Sequence, residues 1–322
     1  MQTLFYSHEH IFAFGTNMPA AFATQPSVIT IGTFDGVHLG HRKIISELVA
    51  RAKTKGLRSV LITFEPHPRA IIGKQDEPVR ILTTLAERRE ITLSLGVDVM
   101  FVIEFTKSFS ETSAEAFIEN VLVGKIGLAE VVIGYDHGFG KDRSGTIDTL
   151  QAMATKYKFY VDVIDEQVVS GKHLSSTAIR HLLEAGRVSE ANELLGRPYQ
   201  FSGAVARGAQ RGRTIGFPTA NLELSDKHKC LPGAGVYVAE VKAGEKKYRA
   251  MMNIGYKPTI ANDLALSVEV FLLEFSGDLY GQTLEVAVLG RVRDEQKFSG
   301  LDELKSQLER DKIFSAAFSN QF

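Results

Sequence analysis

Between residues 27 and 165 the chain repeats one pattern, a short, mostly apolar run followed by a longer amphipathic segment. "SVITI" (27–31) precedes a segment in which Ile44, Ile45, Leu48, Val49 and Ala52 recur at helical spacing. "SVLITF" (59–64), "DVMFVIEF" (98–105), "EVVIGYD" (130–136) and "FYVDVID" (159–165) continue the series. The helical "TTLAERREITLSLG", "TSAEAFIENVLVGKIG" and "TIDTLQAMATKYK" alternate with them. A strand that is apolar on both faces must be covered on both faces, and intervening helices make such a sheet parallel. The expectation is a doubly wound α/β domain, which binds ligands at the carboxyl ends of its strands.

After "SSTAIRHLLEAGRVSEANELLGRPY" the character changes. "YQFSGAVA", "GVYVAEVKA", "KYRAMMNI", "LSVEVFLLEF" and "TLEVAVLGRVR" are β-like, with "AGEK", "NDLA" and "SGDLYG" as turn signals between them. This suggests an antiparallel β-barrel, closed by the helical "GLDELKSQLERDKIFSAAF". The 322 residues divide into expected domains of 1–195 and 196–322.

Composition removes several classes of function. A formal net charge of −1 gives no electrostatic case for a nucleic-acid or membrane partner. The single cysteine, Cys230 in "DKHKCLPG", excludes an intrachain disulfide framework and is expected as a loop thiol. No Lys or Arg precedes Arg42, so the basic region of a signal peptide is missing, and no apolar run is long enough to span a membrane. A cytoplasmic protein is expected.

The segment with the densest chemistry is "GTFDGVHLGH" (32–41), directly after the first apolar run. His38 and His41 could ligate a metal, but they are three apart with no cysteine nearby, a thin ligand set. The glycines could simply turn a strand into a helix that the histidines cap. The third reading is a phosphate site, with glycine admitting the anion to the backbone and the helix N-terminus favouring its charge. Two imidazoles placed there can donate hydrogen bonds to a phosphoryl group. Neither a Walker loop nor a dinucleotide fingerprint is present. A second segment, "HLSSTAIRHLL" (173–183), begins a helix with Ser175, Ser176 and Thr177 as caps, and carries Arg180, whose planar fork suits phosphate oxygens.

Gly32, Phe34, Asp35, Gly36, His38, Gly40 and His41 resemble the G-x-F-D-G-x-H-x-G-H signature of the nucleotidyltransferase superfamily, and "LSSTAIR" is similar to its "ISSTxIR" segment. "TFEPHP" (63–68), "ILTTLAERREITLSLGVD" and "GYDHGFGKDRSGT" (134–146) narrow the resemblance to the adenylyltransferase domain of the bifunctional riboflavin kinase/FAD synthetase family. The second half resembles that family's kinase domain. Gly212, Arg213, Gly216, Phe217, Pro218, Thr219, Ala220 and Asn221 match G-R-x-[IL]-G-[FY]-P-T-A-N, and "VEVFLLEFSGDLYG" (268–281) is similar to "VEVHLLDFSGDLYG".

The resemblance implies a nucleotidyltransferase-like α/β domain followed by a riboflavin kinase barrel. It implies ATP-dependent phosphorylation of riboflavin to FMN, then adenylylation of FMN to FAD, with flavins as substrate and product and with Mg²⁺ accompanying ATP. It makes His38, His41 and Arg180 the groups acting on phosphate in the first domain, with Gly32, Phe34, Asp35, Gly36, Gly40, Ser175, Ser176 and Thr177 around the nucleotide. In the second domain it implies Glu269 as base, Thr219 and Asn221 at the metal, and Gly212, Arg213, Gly216, Phe217 and Pro218 enclosing ATP. His67, Asp136 and Arg293 are the flavin-site candidates. Gly138 stands where the family often has arginine, so an alternative reading keeps the kinase with a weakened adenylyltransferase.

Overall fold

Seven strands build the first sheet: β1 (Gln2–Ser7), β2 (His10–Ala13), β3 (Ser27–Ile31), β4 (Arg58–Glu65), β5 (Val99–Glu104), β6 (Leu128–Gly134) and β7 (Tyr160–Ile164). Their order is β2-β1-β5-β4-β3-β6-β7. Every neighbouring pair is parallel except the β1–β2 hairpin. The computed structural model describes residues 1–8, 10–13, 22–73, 79–135, 138–165, 168–169, 172–207, 215–258 and 264–319. Asp136, Gly212 and Arg213 lie outside the described residues.

Successive strand residues point to opposite faces, so an all-apolar run feeds two cores. Ile29, Ile31, Val60, Ile62, Phe101, Ile103, Val131 and Ile133 share one of them. Val28, Leu61, Met100, Val102 and Val132 share the other. Helix α1 (Leu39–Lys55) covers the second core through Ile45, Leu48 and Ala52. Along the chain follow α2 (Pro68–Ile72), α3 (Leu85–Ser94), α4 (Lys107–Ser110), α5 (Ala114–Phe117), a π-helical continuation Ile118–Ile126, and α6 (Ile147–Tyr157). Phe117, Ile118, Leu122 and Leu150 cover the first core.

The path through this sheet places the site. From central β3 the chain builds outward to β4 and β5, then returns to add β6 on the other side of β3. The direction of winding reverses between β3 and β6, and such a switch point leaves a crevice beyond the carboxyl ends of the two strands. "GTFDGVHLGH" follows β3, and "YDHGFG" follows β6.

After a short hairpin of β8 (Val168–Val169) and β9 (Lys172–His173) come α7 (Ser176–Glu184) and α8 (Val188–Leu195). The remaining strands are β10 (Tyr199–Ala206), β11 (Ala220–Leu224), β12 (Gly235–Ala243), β13 (Lys246–Pro258), β14 (Leu264–Leu272) and β15 (Thr283–Arg293), followed by α9 (Leu301–Ala317). They close into an antiparallel barrel in the order β10-β11-β14-β13-β12-β15. Inward residues such as Phe201, Met252, Ile254, Val270, Val286 and Val288 are buried. The chain divides into two compact units, Met1–Ser175 and Ser176–Phe322. Asn192 shows why α8 goes with the barrel: wholly buried, it donates to Val288 O at 2.9 Å and accepts from Tyr199 N at 2.7 Å.

Besides the two-residue strands β8 and β9, three strands have no counterpart in the sequence reading. β1, β2 and β11 are only partly buried, so none presents a continuous apolar run. Cys230, expected as a surface or loop thiol, lies in a loop but is 1% exposed within the second unit. Among the described residues no helix is long and apolar enough to cross a membrane.

Candidate active sites

The loop after β3 is bent sharply and held from behind. Gly36 has φ of +83°, and Phe34 and Val37 are also left-handed at +48° and +40°. Positive φ in a β-branched residue is strained and persists only where the surroundings over-determine it. Here Phe34 and Val37 are 2% and 0% exposed, so packing fixes both side chains. Asp35, fully buried, accepts from Leu82 N at 2.9 Å and Thr83 N at 2.9 Å. Thr83 Oγ1 in turn accepts from Gly36 N at 2.9 Å. Asp35 and Phe34 therefore shape the loop from the protein interior, and "ILTT" (81–84) is the partner that holds it.

The two histidines begin α1. His38 is its N-cap, with Nδ1 accepting from His41 N at 3.3 Å. That bond leaves Nε2 as the ring nitrogen able to carry a hydrogen. A Cβ on Gly40 would lie 3.3 Å from the His38 ring, so glycine leaves that ring its room. The His41 ring stacks on His38 at 3.7 Å between centroids and meets the edge of Phe34 at 5.2 Å. Burial first, then the neighbouring His38 and Arg88, hold His41 well below its ordinary 6.5, so it is neutral at pH 7.

Among the described residues, His41 Nδ1 is buried without a hydrogen-bond partner. A buried polar atom left unpaired at a helix N-terminus fits a ligand that completes it. The first turn of α1 carries no acidic residue to repel an anion. The capping and anion readings are thus compatible, since the cap uses one nitrogen of His38 only.

Other candidates of the first unit surround this loop's sequence neighbours. His67 caps α2, its Nδ1 accepting from Arg69 N at 3.2 Å. Leu174, one residue before Ser175, lies 3.6 Å from where a Gly40 Cβ would stand, which brings the start of "LSSTAIR" to the cradle. A Cβ on Gly138 would meet Arg143 Nε at 3.0 Å, so a guanidinium already lies beside this position. Arg143 was absent from the candidates because it sits five residues on, in a segment that reads as a solvated turn. Ser176, Thr177 and Arg180 are carried on α7, within the second unit as the contacts divide the chain.

In the barrel, strand register assembles the second site. Glu269 on β14 is flanked by Asn221 on β11 and Asn253 on β13. Its neighbours Val268 and Val270 are buried inward, so Glu269 belongs to the outer face. Thr219 Oγ1 donates to Glu269 Oε2 at 3.1 Å. Gly216, at φ of +87°, and Pro218 are exposed, whereas Phe217 is 3% exposed and packs on Phe271, Met251 and Leu273. Phe217 is thus the anchor that seats Thr219 and Asn221 next to Glu269. Asn253 was not among the candidate residues; register brings it beside the carboxylate.

Arg293 is committed to the closing helix. Its Nε and Nη2 both reach Asp311 on α9, at 3.0 Å and 2.8 Å to Oδ2, and Nη1 donates to Asp294 O at 2.9 Å. Gln307 adds a fourth contact by donating to Asp311 Oδ1 at 2.8 Å.

A helix-capping histidine pair at an α/β switch point, followed by a barrel bearing a hydroxyl-bonded carboxylate, points to a two-domain nucleotide-dependent transferase. Family models match each half in turn: that of FAD synthetase over residues 21–178, and that of riboflavin kinase over 195–318. Across 291 residues the chain is 40% identical to a bifunctional riboflavin kinase/FMN adenylyltransferase of Listeria monocytogenes, covering 90% of this chain and 92% of that protein. It is 37% identical to proteins of the same description from Bacillus subtilis (89% and 90% covered) and Escherichia coli K12 (90% and 92%). A crystal structure described as a macrolide-efflux protein from Streptococcus pneumoniae superposes with a TM-score of 0.85 at 32% identity, covering 92% of this chain and 96% of that one. The chain belongs to the bifunctional riboflavin kinase/FMN adenylyltransferase family.

Proposed function

We propose a division of labour within one bifunctional transferase: riboflavin is phosphorylated to FMN on the barrel, and FMN is adenylylated to FAD at the α/β switch point. The modules are read as 1–195 for the adenylyltransferase and 196–322 for the kinase, a reading supported by family models spanning 21–178 and 195–318, although α7 and α8 pack in the same compact unit as the barrel. Both halves match, and nothing favours a kinase-only reading.

In the kinase step Glu269 accepts the proton of the riboflavin 5′-hydroxyl as that oxygen attacks the γ-phosphorus of ATP, and the bond to ADP breaks. Thr219 and Asn221 supply neutral oxygens beside a carboxylate, a donor set suited to Mg²⁺ shared with phosphate. The ion, when bound, neutralises charge on the transferring group. Gly212, Arg213, Gly216, Phe217 and Pro218 form the ATP-enclosing segment. The Thr219–Glu269 hydrogen bond carries this reading, because it joins the base to the metal-binding segment.

In the second step an FMN phosphate oxygen attacks the α-phosphorus of another ATP, and pyrophosphate leaves. The nucleophile is already anionic, so positioning and charge stabilisation suffice. His38 Nε2 and His41 donate to the phosphoryl oxygens. Arg180, Ser175, Ser176 and Thr177 serve the triphosphate; Gly32, Phe34, Asp35, Gly36 and Gly40 shape the cradle. His67 and Asp136 serve the flavin there, and Arg293 serves it in the kinase by seating α9. ATP, riboflavin and FMN are the partners, the cytoplasm is the compartment, and no nucleic acid or membrane is involved; a net charge of −1 supports that assignment.

The test is a product assay. Purified protein with riboflavin, ATP and Mg²⁺ is expected to form FMN and then FAD, resolved by chromatography. FMN accumulating without FAD, even when FMN is supplied directly, would overturn the adenylyltransferase assignment.

A further inference from the structure

The reaction scheme leaves one buried cation unused. Arg88, on α3, is 1% exposed. Its Nη1 donates to Thr63 Oγ1 at 2.6 Å and to Phe64 O at 3.3 Å, and its Nη2 lies 3.6 Å from Glu65 Oε2. Thr63 Oγ1 in turn donates to Thr33 O at 3.0 Å. One guanidinium therefore ties the end of β4, through a single hydroxyl, to the second residue of the loop after β3. The carboxylates of Asp35, Glu65 and Glu87 oppose the burial that works against its charge. Its Nε is buried without a hydrogen-bond partner among the described residues. A leucine or methionine would fill the same space with no charge to desolvate, so packing alone gives no reason for arginine here.

The two imidazoles of the loop supply no fixed charge of their own. His38 Nδ1 accepts a backbone hydrogen bond and so carries no hydrogen. His41 is stacked on it at 3.7 Å, where two imidazolium rings would repel. A neutral pair can donate hydrogen bonds, but it does not balance a triphosphate. Among the groups facing His41, His38 and Arg88 both act against its protonation, and burial acts in the same direction.

We propose that Arg88 is a positioning residue for adenylyl transfer: it locks Thr33 to the end of β4 beneath the loop and sets a permanent positive charge behind two neutral imidazoles. The inference rests on the adenylyl-transfer reading of this loop. A cation fixed in advance stabilises developing negative charge without reorganising during the step. It also explains why a histidine at a nucleotide site can stay neutral, because the charge is supplied by a group that does not titrate.

The test compares Arg88→Gln, which keeps a donor for Thr63 but no charge, with Arg88→Lys, which keeps the charge but not the fork. Both are made in the full chain, and riboflavin phosphorylation on the other module reports the amount of working protein. FAD formation from supplied FMN is measured from pH 5.5 to 8.5, alongside the His41 ring-proton titration by NMR. Arg88→Gln is expected to lose at least about tenfold in kcat/KM for ATP while FMN formation holds within about twofold. Its His41 titration, and the acid limb of its rate profile, shift to higher pH. Arg88→Lys keeps the wild-type profile and His41 titration with a smaller loss.

Wild-type rates in Arg88→Gln, or a rate loss with His41 titrating as in the wild type, would overturn the proposal. Should Arg88→Gln not fold, Arg88→Lys decides: a profile displaced from the wild type sinks the charge argument, and an unaltered one upholds it. His41→Ala separates this from the parent reading. If that variant still makes FAD, the loop is not the adenylyl-transfer site, whatever Arg88 does.

Discussion

Thr219 and Glu269 are fifty residues apart in the chain and joined by one hydrogen bond, Oγ1 to Oε2 at 3.1 Å. In the proposed scheme the bond couples the group that would take the proton to the segment that would meet the metal. Phe217, buried two residues earlier, and the β11–β14 register hold the two in place.

Removing the base should separate the two reactions. Glu269→Gln is expected to lower riboflavin phosphorylation by about 10²- to 10⁴-fold, while FAD formation from supplied FMN stays unchanged. Thr219→Val should raise the Mg²⁺ concentration needed for half-maximal phosphorylation, with Thr219→Ser restoring it. Equal loss of both products in Glu269→Gln would show that the two sites are not independent.

His41→Ala should give the opposite pattern. Loss of a donor to a phosphoryl group that gains charge is worth about 10²- to 10³-fold, so FAD formation falls and FMN formation persists. Steady-state assays of each step measure this directly, and loss of both activities in a folded protein refutes the two-site scheme.

The neutral state of His41 has a thermodynamic consequence. Its folded value lies below the ordinary 6.5, so under mildly acid conditions the unfolded chain binds a proton that the native chain does not. Stability contributed by this site is therefore present above pH 6.5 and lost as pH falls below it. NMR titration should find the His41 ring still neutral at pH 6.5; a midpoint there would contradict the expectation.

Asp35 tests the loop scaffold. It accepts from two backbone N–H groups and a hydroxyl in full burial. Asp35→Asn removes the charge and turns one acceptor into a donor facing donors, at a cost of about 1–3 kcal/mol. Urea unfolding should show the loss, together with weaker adenylyl transfer. Unchanged stability would mean that the loop is held elsewhere.

The Arg293–Asp311 pair is buried, at 14% and 2% side-chain exposure. Taking one partner away leaves an uncompensated charge and should cost about 3–5 kcal/mol. If Arg293 serves the flavin by seating α9, Asp311→Asn and Arg293→Met should raise the riboflavin KM by similar factors. A rise confined to the Arg293 variant would instead indicate direct contact.

Much of this architecture was legible along the chain. Mostly apolar runs specify strands buried on both faces, and β3, β4, β5, β6 and β7 of the first sheet follow from them. Strands with one weakly buried face leave no such trace, which is why β1, β2 and β11 emerged only when their partners were known. Glycine spacing and a helix start marked His38 and His41 as candidates because these are local properties, whereas Thr219, Asn221 and Glu269 became candidates through the family resemblance.

What the residues do for one another is not local. Arg88 in "AERRE" reads as one more charge on a solvated helix face, yet it is 1% exposed and reaches the end of β4. Asp35, placed by the resemblance around the nucleotide, proves to be a wholly buried acceptor that holds the loop from within. Periodicity along the sequence decided where strands and helices form, since each element needs only its own pattern of apolar positions. Burial, register and the pairing of distant charges were settled by the tertiary fold, because their free energies depend on neighbours that no short stretch of sequence contains.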